Sequence, residues 1–598
     1  MQNKIWSQHK ALKSQITLEM PEYIKQFLAQ RNILTNEQFQ RDILVNQGEN
    51  DASMIKDSDK FFYLLDQVLN SSQEIVVYGD YDCDGFAATT IALKSIRTIR
   101  RYLGDKSVNC HVDYFINDRK MGFGLKPEGI DLLLQKYPST TTIITVDNGI
   151  SAFNGISYAK ERGIKVLVTD HHEPLPNNTL PDADCICNVK RVDDRYPFKG
   201  LSGAGTIYKL FCKYVQIRNY PSAVIDSIKA NMDFVGLSVV SDSMPMLNEN
   251  RIFVKYTLKS FNHYPDVPIR YSFNAMLRIL TLKKIIPASK EITAETLGWN
   301  IAPIINSVSR ITGSIDLVVD IFNSQNESFI LKGLQKIIDL NIERQSISQS
   351  VTEQVLEILK AKSNLPDIIA FTCHNVPVGI IGLIAGKVSN ELNHPAIVLT
   401  QREDGNYMGS ARSVKGVSII NILRNIDIDP RTSKRKIDSP FLSLGGHKGA
   451  AGMTINQNMI KSFLFNVVNI HLDQDLTNAS QIEYYDLDFK SEDINFSTYK
   501  NFQMLRPFGF GFEEPIIKTH FTCFRCQLFG KKQSNHAKYL GTNITLLDWQ
   551  GKDRLMEFKK ESKLDDPKVE IACLGQMKPR FYNKSLIDIY ADDVKVCG

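Results

Sequence analysis

Short apolar runs alternate with stretches of helical spacing from Glu74 onward. The runs EIVVYG, HVDYFI, TTIITV, KVLVT and DCICNV have the length and the β-branched content of buried strands. Segments with apolar residues at helical intervals, such as Phe86 to Leu103 and Ser151 to Gly163, separate them. Because strand and helix alternate, the pattern predicts an α/β domain with a parallel, doubly wound sheet.

The pattern changes at both ends of this region. Apolar residues at helical spacing near the N-terminus predict short helices that precede the main domain. Neither Gly nor Pro occurs from Leu334 to Leu365, which predicts one long connecting helix. We therefore expect a helical N-terminal segment (1–60), a main α/β domain (61–325), a connecting helix (326–365), a smaller α/β domain (366–475) and a strand-rich barrel (476–598).

Composition narrows the class of protein only in part. A chain of 598 residues is too long for one hydrophobic core, which predicts several domains. The net charge of +5 is too small to indicate a nucleic-acid ligand by itself. No apolar run reaches the length of about 18 residues that spans a bilayer, so we expect no membrane segment. The N-terminal sequence lacks a secretory signal and the ten cysteines are scattered, which together favour the cytoplasm.

Acidic residues and histidines stand where three of the predicted strands end. Because the carboxyl ends of parallel strands line one crevice, we expect these side chains to converge. Asp242, in the apolar helical run MDFVGLSVVSDSMPM, is a further candidate, since a carboxylate there is otherwise hard to justify. The residues at the strand ends are Asp80, Asp82 and Asp84 after EIVVYG, Asp147 after TTIITV, and Asp170, His171 and His172 after KVLVT.

Carboxylates crowded into one crevice repel one another unless cations lie between them, so the clusters imply bound metal. Carboxylate oxygens with one or two imidazoles suit Mn²⁺ and, less tightly, Mg²⁺. Two ions about 3.5 to 4 Å apart could activate water and neutralise charge on a phosphoryl group. An Asp-Gly after a strand is usually only a turn, and an isolated Asp-His-His is usually a surface loop. Three such clusters on successive strand ends favour the metal site.

Four motifs carry a resemblance to a known family. GDYDCDG (79–85), VDNG (146–149), TDHHE (169–173) and SVVSDSMPMLNENR (238–251) resemble, in order and spacing, the motifs of DHH phosphoesterases in the form found in the RecJ family. Further stretches extend the resemblance over nearly the whole chain: IAPIINSVSR, GSARS, GGHKGAAG and LRPFGFGFEEP. The resemblance implies a DHH domain joined by the long helix to a smaller DHH-associated domain, followed by an OB-like barrel.

The resemblance also implies roles for the acidic residues and histidines. One divalent metal ion would be held by Asp82 and Asp147, with Asp80 as an additional ligand. A second would be held by Asp84, Asp147, His171 and Asp242, so that Asp147 bridges the two ions. Asp170 would orient the imidazoles, and His172 would face the phosphate that is cut.

A second group of residues resembles the pocket that recognises a 5′ phosphate in this family. An arginine suits that role because its planar fork can pair with two phosphate oxygens. The alternative is that these residues form ordinary turns, since Ser-x-Arg and Gly-Gly-His also occur there. The residues implied are Arg310, Ser410, Arg412, Gly446 and His447.

The chain departs from the family pattern at three places. Val376 and Pro377 stand where RecJ proteins usually have Trp-His, so the contribution of that histidine is lost. Ile304 and Ser309 replace the usual Arg and Gly of the linker motif. Tyr78 stands where many DHH enzymes outside the RecJ family have a metal-binding histidine. This favours the RecJ arrangement, in which Asp80 serves as a metal ligand instead.

The resemblance implies a metal-dependent exonuclease that degrades single-stranded DNA from 5′ to 3′ and releases mononucleotides, in repair, recombination or replication. A helicase or a single-strand-binding protein is a possible partner, and we expect a monomer. One alternative is a DHH phosphodiesterase acting on short oligonucleotides or cyclic dinucleotides, although such enzymes generally lack an added barrel. Another is a non-catalytic DHH-like scaffold, although such chains lose metal ligands.

Two features of the C-terminal region have ordinary explanations as well as functional ones. Cys523 and Cys526 form a single CFRC, which is half of a zinc site and more commonly strand packing. Aromatic residues of the barrel could stack on bases or belong to its core. They are Phe510, Phe512, Tyr539 and Trp549.

Overall fold

The computed structural model describes most of the chain and divides it into two compact units. One unit contains Glu49–Met244 and Ile252–Ser480, and the other contains Met1–Gly48, Pro245–Arg251 and Gln481–Gly598. The described residues are 4–70, 73–104, 110–288, 291–362, 364–429, 431–432, 434–472, 482–530, 535–549, 551–560, 569–580, 583 and 586–597.

The strands within these ranges are given in chain order. They are β1 Ile5–Gln8, β2 Glu74–Gly79, β3 His111–Ile116, β4 Thr140–Val146, β5 Lys165–Thr169, β6 Cys185–Cys187, β7 Ile369–Cys373, β8 Ala396–Gln401, β9 Tyr407–Arg412, β10 Phe441–His447, β11 Ala450–Ile455, β12 Ile482–Tyr485, β13 Leu487–Asp488, β14 Ile517–Phe529, β15 His536–Gly541, β16 Thr545–Asp548, β17 Val569–Pro579 and β18 Ile587–Cys597.

The helices are numbered in the same way. The α-helices are α1 Glu22–Gln30, α2 Asn36–Gln38, α3 Ser58–Leu69, α4 Cys83–Leu103, α5 Pro127–Lys136, α6 Phe153–Glu161, α7 Gly203–Ile217, α8 Ser222–Lys229, α9 Met232–Ser241, α10 Glu249–Phe261, α11 Tyr271–Leu282, α12 Ala294–Thr296, α13 Ala302–Thr312, α14 Asp316–Asn323, α15 Glu327–Lys360, α16 Val378–Leu392, α17 Ile419–Asp427, α18 Ile460–Val468, α19 Phe496–Gln503 and α20 Lys552–Lys560. Two π-helical turns span Phe39–Leu44 and Leu297–Ile301, and 3-10 turns span Ala52–Met54, Arg119–Met121, Pro176–Asn178, Gln457–Met459 and Ser491–Asp493.

A five-stranded parallel sheet lies in the first unit, with the order β3-β2-β4-β5-β6. The strand that follows β2 in sequence lies on one side of it, and the next strand, β4, lies on the other. The strand order therefore reverses between β2 and β4. The carboxyl ends of these two strands form the switch point, which is where ligands bind in such folds. The prediction of a parallel, doubly wound α/β domain is confirmed.

Helices cover both faces of this sheet, which explains why the inner strands β2, β4 and β5 are buried along most of their length, whereas the edge strand β3 alternates. On one face, Val76, Ile143 and Val166 of the strands pack with Ile130 and Ile156 of α5 and α6. Helix α4 contacts the strands as well, and α7 and α9 pack against α4. Each fully buried apolar side chain contributes about 1.5–3 kcal/mol to folding, so this layering fixes the positions of the strand ends.

Helix α15 leads from this domain to a second, smaller sheet. Asn326 caps the helix by accepting a hydrogen bond from Phe329 N at 3.0 Å. The second sheet has the order β10-β11-β9-β8-β7, in which only the β7–β8 pair is parallel. Apolar cores lie on both of its faces, one beneath α17 and α18 and one beneath α16. The long connecting helix and the smaller α/β domain are therefore present.

The second unit contains a closed barrel. Its strands follow the order β14-β15-β16-β18-β17, and β17 pairs again with β14. The expected OB-like barrel is thus confirmed. No helix among the described residues combines the length and the apolar character needed to cross a membrane.

The N-terminal segment differs from the prediction. We expected helices over residues 1–60 that precede the main domain, but β1 pairs in parallel with β12, and Met1–Gly48 belongs to the unit that contains the barrel. Phe27 of α1 packs edge-on against Phe502 and Phe512. The helical spacing indicated an apolar face correctly, but it carries no information about which distant residues cover that face.

Candidate metal centre and phosphate-binding pocket

The ends of β2, β4 and β5 bring the first acidic residues together. Asp80 follows β2, Asp147 follows β4 and Asp170 follows β5, and these strands are neighbours in the sheet. Asp242 approaches from elsewhere, because it stands directly after the last residue of α9. The candidate centre therefore lies at the switch point of the sheet.

The turn after β2 is held by its own carboxylate. Oδ1 of Asp82 accepts hydrogen bonds from Asp84 N and Gly85 N, each at 3.0 Å, and so caps the start of α4. A Cβ atom at position 85 would lie 2.4 Å from the carbonyl oxygen of Asp80, so only glycine fits there. The capped turn places three carboxylates on one short stretch of chain.

Asp84 is fixed by residues that the sequence analysis did not identify. Its carboxylate accepts hydrogen bonds from Gly203 N and Ala204 N, both at 2.8 Å, and from Ser238 Oγ at 2.6 Å. The two amides belong to the first turn of α7, where the helix dipole favours a negative charge. The run of small residues in LSGAGT was the available signal, since a Cβ at Gly203 would lie 2.5 Å from the Cβ of Asp147.

His171 lies between the carboxylates. Its Nε2 atom is 3.0 Å from Asp147 Oδ1, 3.5 Å from Asp242 Oδ2 and 3.6 Å from Asp84 Oδ2. Potential ligand atoms lie within 4.8 Å of one another in three groups: Asp80, Asp82 and Asp147; Asp84, His171 and Asp242; and Asp147, His171 and His172. Asp147 is common to two of these groups and stands at φ 61°.

Several polar atoms of this cluster are buried and have no hydrogen-bond partner among the described residues. They are Oδ1 of Asp147 and both ring nitrogens of His171. Burial and neighbouring carboxylates raise the pKa of Asp80 and of Asp242 to about 8 and that of Asp147 well above its ordinary value. Both observations fit divalent cations, which would take up the unpartnered atoms and offset the repulsion.

Asp170 and His172 form a separate pair beside the cluster. Asp170 accepts hydrogen bonds from Ile150 N, His171 N and His172 N, and from Nδ1 of His172 at 2.8 Å. Burial opposes the charge on both groups, but their mutual interaction outweighs it, lowering the pKa of Asp170 to about 2 and raising that of His172 to about 9. The ring of His172 is partly exposed beside Phe123, so it can meet a substrate as a cation.

The arginines of the expected phosphate pocket lie at the ends of α13 and β9. Nη1 of Arg310 donates to Gly379 O at 2.9 Å, and Nη1 of Arg412 donates to Ser410 Oγ at 3.1 Å. A Cβ at Gly382 would lie 3.0 Å from both Arg412 Nη2 and Ser410 Oγ, so α16 presents a glycine to the pair. Within the described part of the chain neither arginine forms a salt bridge, which leaves their charge available for an anion.

Two further arginines, Arg119 and Arg344, lie near enough to Arg310 for their charges to act on it, and nothing in the sequence pattern had distinguished them. The guanidinium of Arg119 lies 4.1 Å from the ring centroid of Tyr81 and donates to Ser309 Oγ at 3.3 Å. Burial and the positive charges of Arg119 and Arg344 lower the pKa of Arg310 to about 10. Ser309, one of the departures from the family motif, thus supplies a hydroxyl that glycine could not. Ile304, another departure, is fully buried.

Gly446 and His447 lie on the edge strand β10. His447 is opposite Ala450, which is opposite Arg412, so His447 is two strand spacings, about 10 Å, from Arg412. His447 is exposed, and its Nδ1 accepts a hydrogen bond from Gly449 N at 3.3 Å. The structure therefore brings Arg310, Ser410 and Arg412 together and leaves His447 at the rim of the same sheet.

The remaining sequence candidates have structural explanations. Val376 is buried two residues before the start of α16, and His374 is exposed. Sγ of Cys523 lies 3.5 Å from Sγ of Cys526, but every group of three metal-binding side chains found among the described residues belongs to the acidic cluster. Of the four barrel aromatics, Phe510 and Trp549 are exposed, whereas Phe512 and Tyr539 are fully buried.

Three family models match the chain in succession. They are the N-terminal domain of the DHH family over residues 74–232, the DHHA1 domain over 365–469 and the RecJ OB domain over 485–585. The acidic cluster lies in the first of these apart from Asp242, and the Ser410–Arg412 pair lies in the second.

Curated relatives and solved structures agree with this assignment. A single-stranded-DNA-specific exonuclease RecJ of Haemophilus influenzae is 27% identical over 80% of this chain and 80% of its own length. The RecJ of Bacillus subtilis is 30% identical over 74% of this chain, which spans 52% of that relative. A crystal structure of RecJ with Mn²⁺ from Thermus thermophilus superposes with a TM-score of 0.71 at 18% identity, over 100% of this chain and 80% of that one, and so shares the fold.

The fold and the cluster of carboxylates and imidazoles define an α/β protein of the DHH class with a candidate centre for divalent metal ions. The third domain and the relatives narrow this class further. The chain belongs to the RecJ family.

Proposed function

We propose that this protein is a metal-dependent exonuclease that hydrolyses phosphodiester bonds of single-stranded DNA from 5′ to 3′ and releases mononucleotides. The observation that carries the proposal is the pairing of two features in one unit of the chain. One is the buried cluster in which Asp147 and His171 have ligand atoms that no described residue partners. The other is the group of arginines around Arg310 and Arg412, which form no salt bridge within the ranges that the structure describes.

Two divalent ions, most favourably Mn²⁺ and alternatively Mg²⁺, fit the donor set. Asp80, Asp82 and Asp147 would hold one ion, and Asp84, Asp147, His171 and Asp242 would hold the other. Such ions supply a nucleophilic water at neutral pH and neutralise charge that develops on the phosphoryl group. Oxygen and imidazole ligands without thiolate favour these metals over a structural zinc.

The protein groups around the centre position the ligands and handle protons. Gly203 N, Ala204 N and Ser238 Oγ hold Asp84 in one orientation. Asp170 binds Nδ1 of His172, which leaves Nε2 of that ring to donate to a phosphate oxygen. A water oxygen adds to phosphorus, the bond to the 3′ oxygen breaks, and that oxygen takes a proton. The released nucleotide keeps a 3′ hydroxyl.

The arginine pocket gives the reaction its direction. A terminal 5′ phosphate pairs with the guanidinium groups of Arg310 and Arg412 and with Ser410 Oγ, because charge-assisted bonds to phosphate are strong. Gly446 and His447 at the rim of the same sheet complete this pocket. Each cut leaves a new 5′ phosphate on the remaining strand, so the pocket can be filled again. The distance between pocket and metal centre then sets the length of the product.

The barrel and the relatives support DNA as the substrate. The curated relatives are named as specific for single-stranded DNA, and OB folds bind single strands through stacking and backbone contacts. The exonuclease would act in DNA repair, recombination or replication in the cytoplasm, where a helicase or single-strand-binding protein would supply the single strand. We propose that the protein acts as a monomer.

End-labelled DNA tests the proposal. The purified protein is incubated with single-stranded and duplex DNA, each with Mn²⁺, Mg²⁺ or a chelator. We expect mononucleotides from the 5′ end of the single strand only, and only with a divalent ion. Equal digestion of duplex DNA, or digestion in the chelator, would rule out this mechanism. Activity confined to dinucleotides or cyclic dinucleotides would instead identify a small-molecule phosphodiesterase.

A further inference from the structure

A single helical segment connects the metal centre to an exposed tryptophan. The π turn Leu297–Ile301 runs directly into α13. On this segment Trp299 is exposed and Pro303, Asn306 and Arg310 are half-buried, whereas most of the residues between them are buried. Their spacing of four, three and four residues places them on one face.

Trp299 is the most exposed residue of that face. Its side chain is 77% exposed, although an indole of this size is usually buried. The turn that carries it is nevertheless firmly held, because Thr293 and Thr296 form a capping box just before it. A fixed backbone with an exposed indole is the arrangement expected of a docking residue. The π turn is consistent with this, since such turns occur often at functional sites.

Residues on both sides of Trp299 contact the segments that carry proposed metal ligands. A Cβ at Gly298 would lie 3.3 Å from Val240 Cγ1, and Val240 is two residues before Asp242. Further along the same face, Asn306 Oδ1 accepts a hydrogen bond from Cys83 N at 2.8 Å, between Asp82 and Asp84. At a rise of about 1.5 Å per residue, Trp299 lies about 10 Å from Asn306 along the helix.

The order along this face defines a path for the strand. Arg310, at one end, belongs to the pocket proposed for the 5′ phosphate. Asn306 is beside the metal ligands, and Trp299 is at the other end. A strand whose 5′ end is at Arg310 therefore passes the metal centre before it reaches Trp299.

We propose that Trp299 stacks on a base of the DNA strand on the 3′ side of the phosphate that is cut. The inference deepens the proposed nuclease function and rests on it. A planar indole binds any base, because every base has a π face, so the contact adds affinity without sequence preference. It also keeps the remaining strand in place after each nucleotide leaves.

Binding of abasic DNA tests this contact directly. The probe is a 5′-phosphorylated single strand of about 16 nucleotides, either intact or with one abasic position moved stepwise from the 5′ end. Affinity is measured by fluorescence anisotropy with Mn²⁺ in the Asp147→Asn background, so that hydrolysis does not consume the probe. The variants are Trp299→Ala, Trp299→Phe and, as a control, Leu282→Ala, which removes a side chain that is 81% exposed at the end of α11.

We expect Trp299→Ala to weaken binding of the intact strand about tenfold, with Trp299→Phe recovering most of the loss and Leu282→Ala causing none. In the protein that retains Trp299, an abasic site at one particular position should weaken binding by the same factor. The same abasic site should not weaken the binding of Trp299→Ala any further. Equal losses at every abasic position, or losses that add in the variant, would overturn the stacking assignment. Since this experiment measures binding, a failure of the proposed nuclease activity would be seen separately in digestion of end-labelled DNA by the unsubstituted protein.

Discussion

Asp170 holds the ring of His172 in one orientation, because its Oδ1 atom accepts a hydrogen bond from Nδ1 of that ring at 2.8 Å. The carboxylate is itself fixed by the backbone N–H groups of Ile150 and His171. The pKa of His172 is consequently raised to about 9. A charged imidazole therefore stands at the edge of the metal centre at neutral pH.

Replacement of Asp170 by asparagine should lower activity at alkaline pH most strongly. The amide keeps the shape but loses the charge, so the pKa of His172 falls from about 9 toward the ordinary value of about 6.5. We expect kcat on single-stranded DNA to fall about 10–100-fold and the alkaline limb of the pH–rate profile to move to lower pH. Asp182→Asn, at an exposed carboxylate paired with Lys160, is the control. An unchanged alkaline limb would show that Asp170 does not set the charge of His172.

Asp147→Asn should remove cleavage without unfolding the protein. Asparagine suits this position because it tolerates the left-handed backbone at φ 61° better than alanine does. The substitution also removes one of several mutually repelling carboxylates, so the metal-free variant should melt no lower than the unsubstituted protein. Loss of activity by at least about a thousandfold, with an unchanged circular dichroism spectrum, is the expected result. Retention of activity would exclude Asp147 as a ligand shared by the two ions.

Arg412→Ala should weaken the use of 5′-phosphorylated ends in particular. Arg412 donates to Ser410 Oγ and forms no salt bridge within the described residues, so its free donors can bind phosphate. We expect KM for a 5′-phosphorylated strand to rise about 10–100-fold, with a much smaller change for a 5′-hydroxyl strand. Arg402→Ala, at a side chain beside Asp404, serves as the control. Equal losses on both kinds of end would refute the pocket.

Sequence reasoning located the acidic residues because their positions follow from the topology. A strand that ends in Asp80 and another that ends in Asp147 must place these residues at one edge if the sheet is parallel. The alternation of apolar strands and helices was sufficient to predict that sheet. The fold class could therefore be predicted from these patterns, whereas the family followed from the resemblance of the motifs, such as GDYDCDG and TDHHE, to those of RecJ proteins.

The residues that hold the site residues in place could not be predicted in the same way. Ser238 and Gly203 reach Asp84 from 154 and 119 residues away in sequence, so no local spacing indicates them. Arg119 joins Arg310 only because α13 lies against the turn after β3. The N-terminal segment shows the same limit, since β1 pairs with a strand more than 470 residues later. Such contacts depend on tertiary packing that residue patterns do not encode.

The metal-free protein should lose stability as the pH rises. The pKa of Asp80 and of Asp242 is raised to about 8 in the folded state, against about 3.9 in an unfolded chain. Between these values the folded state binds more protons than the unfolded state, so the free energy of unfolding decreases with increasing pH. His172 acts in the same direction from about 6.5 to 9, whereas the stabilising effect of Asp170, with its pKa lowered to about 2, is constant in this window.

Thermal unfolding measured from about pH 5 to 8 checks this prediction. In a chelator, Tm should fall by several degrees across that range, and the fall should be smaller in Asp80→Asn. Mn²⁺ should raise Tm most at the alkaline end, because bound cations replace the protons. A Tm that rises with pH in the chelator would contradict the raised pKa values and the proposed origin of metal affinity.

Arg251 should be essential for the stability of the unit that contains the barrel. Its guanidinium is fully buried, and burial lowers its pKa to about 9. Its hydrogen bonds to described residues all go to backbone carbonyl oxygens, namely those of Ile43, Met246, Leu505, Arg506 and Pro507. Arg251→Met fills similar volume but leaves these acceptors without a donor, at a cost of about 1–3 kcal/mol for each acceptor that water cannot reach.

We expect calorimetry of Arg251→Met to show at least one unfolding transition moved down by several degrees. Arg251→Lys should recover only part of the loss, because an ammonium group has three donors and lacks the planar fork. Arg162→Met is the matched control, since that guanidinium stacks on Tyr158 at the surface. The acidic cluster belongs to the other unit, so Mn²⁺ should still raise the transition of the unit that binds it. Unchanged melting in Arg251→Met would mean that the buried fork contributes no net stability.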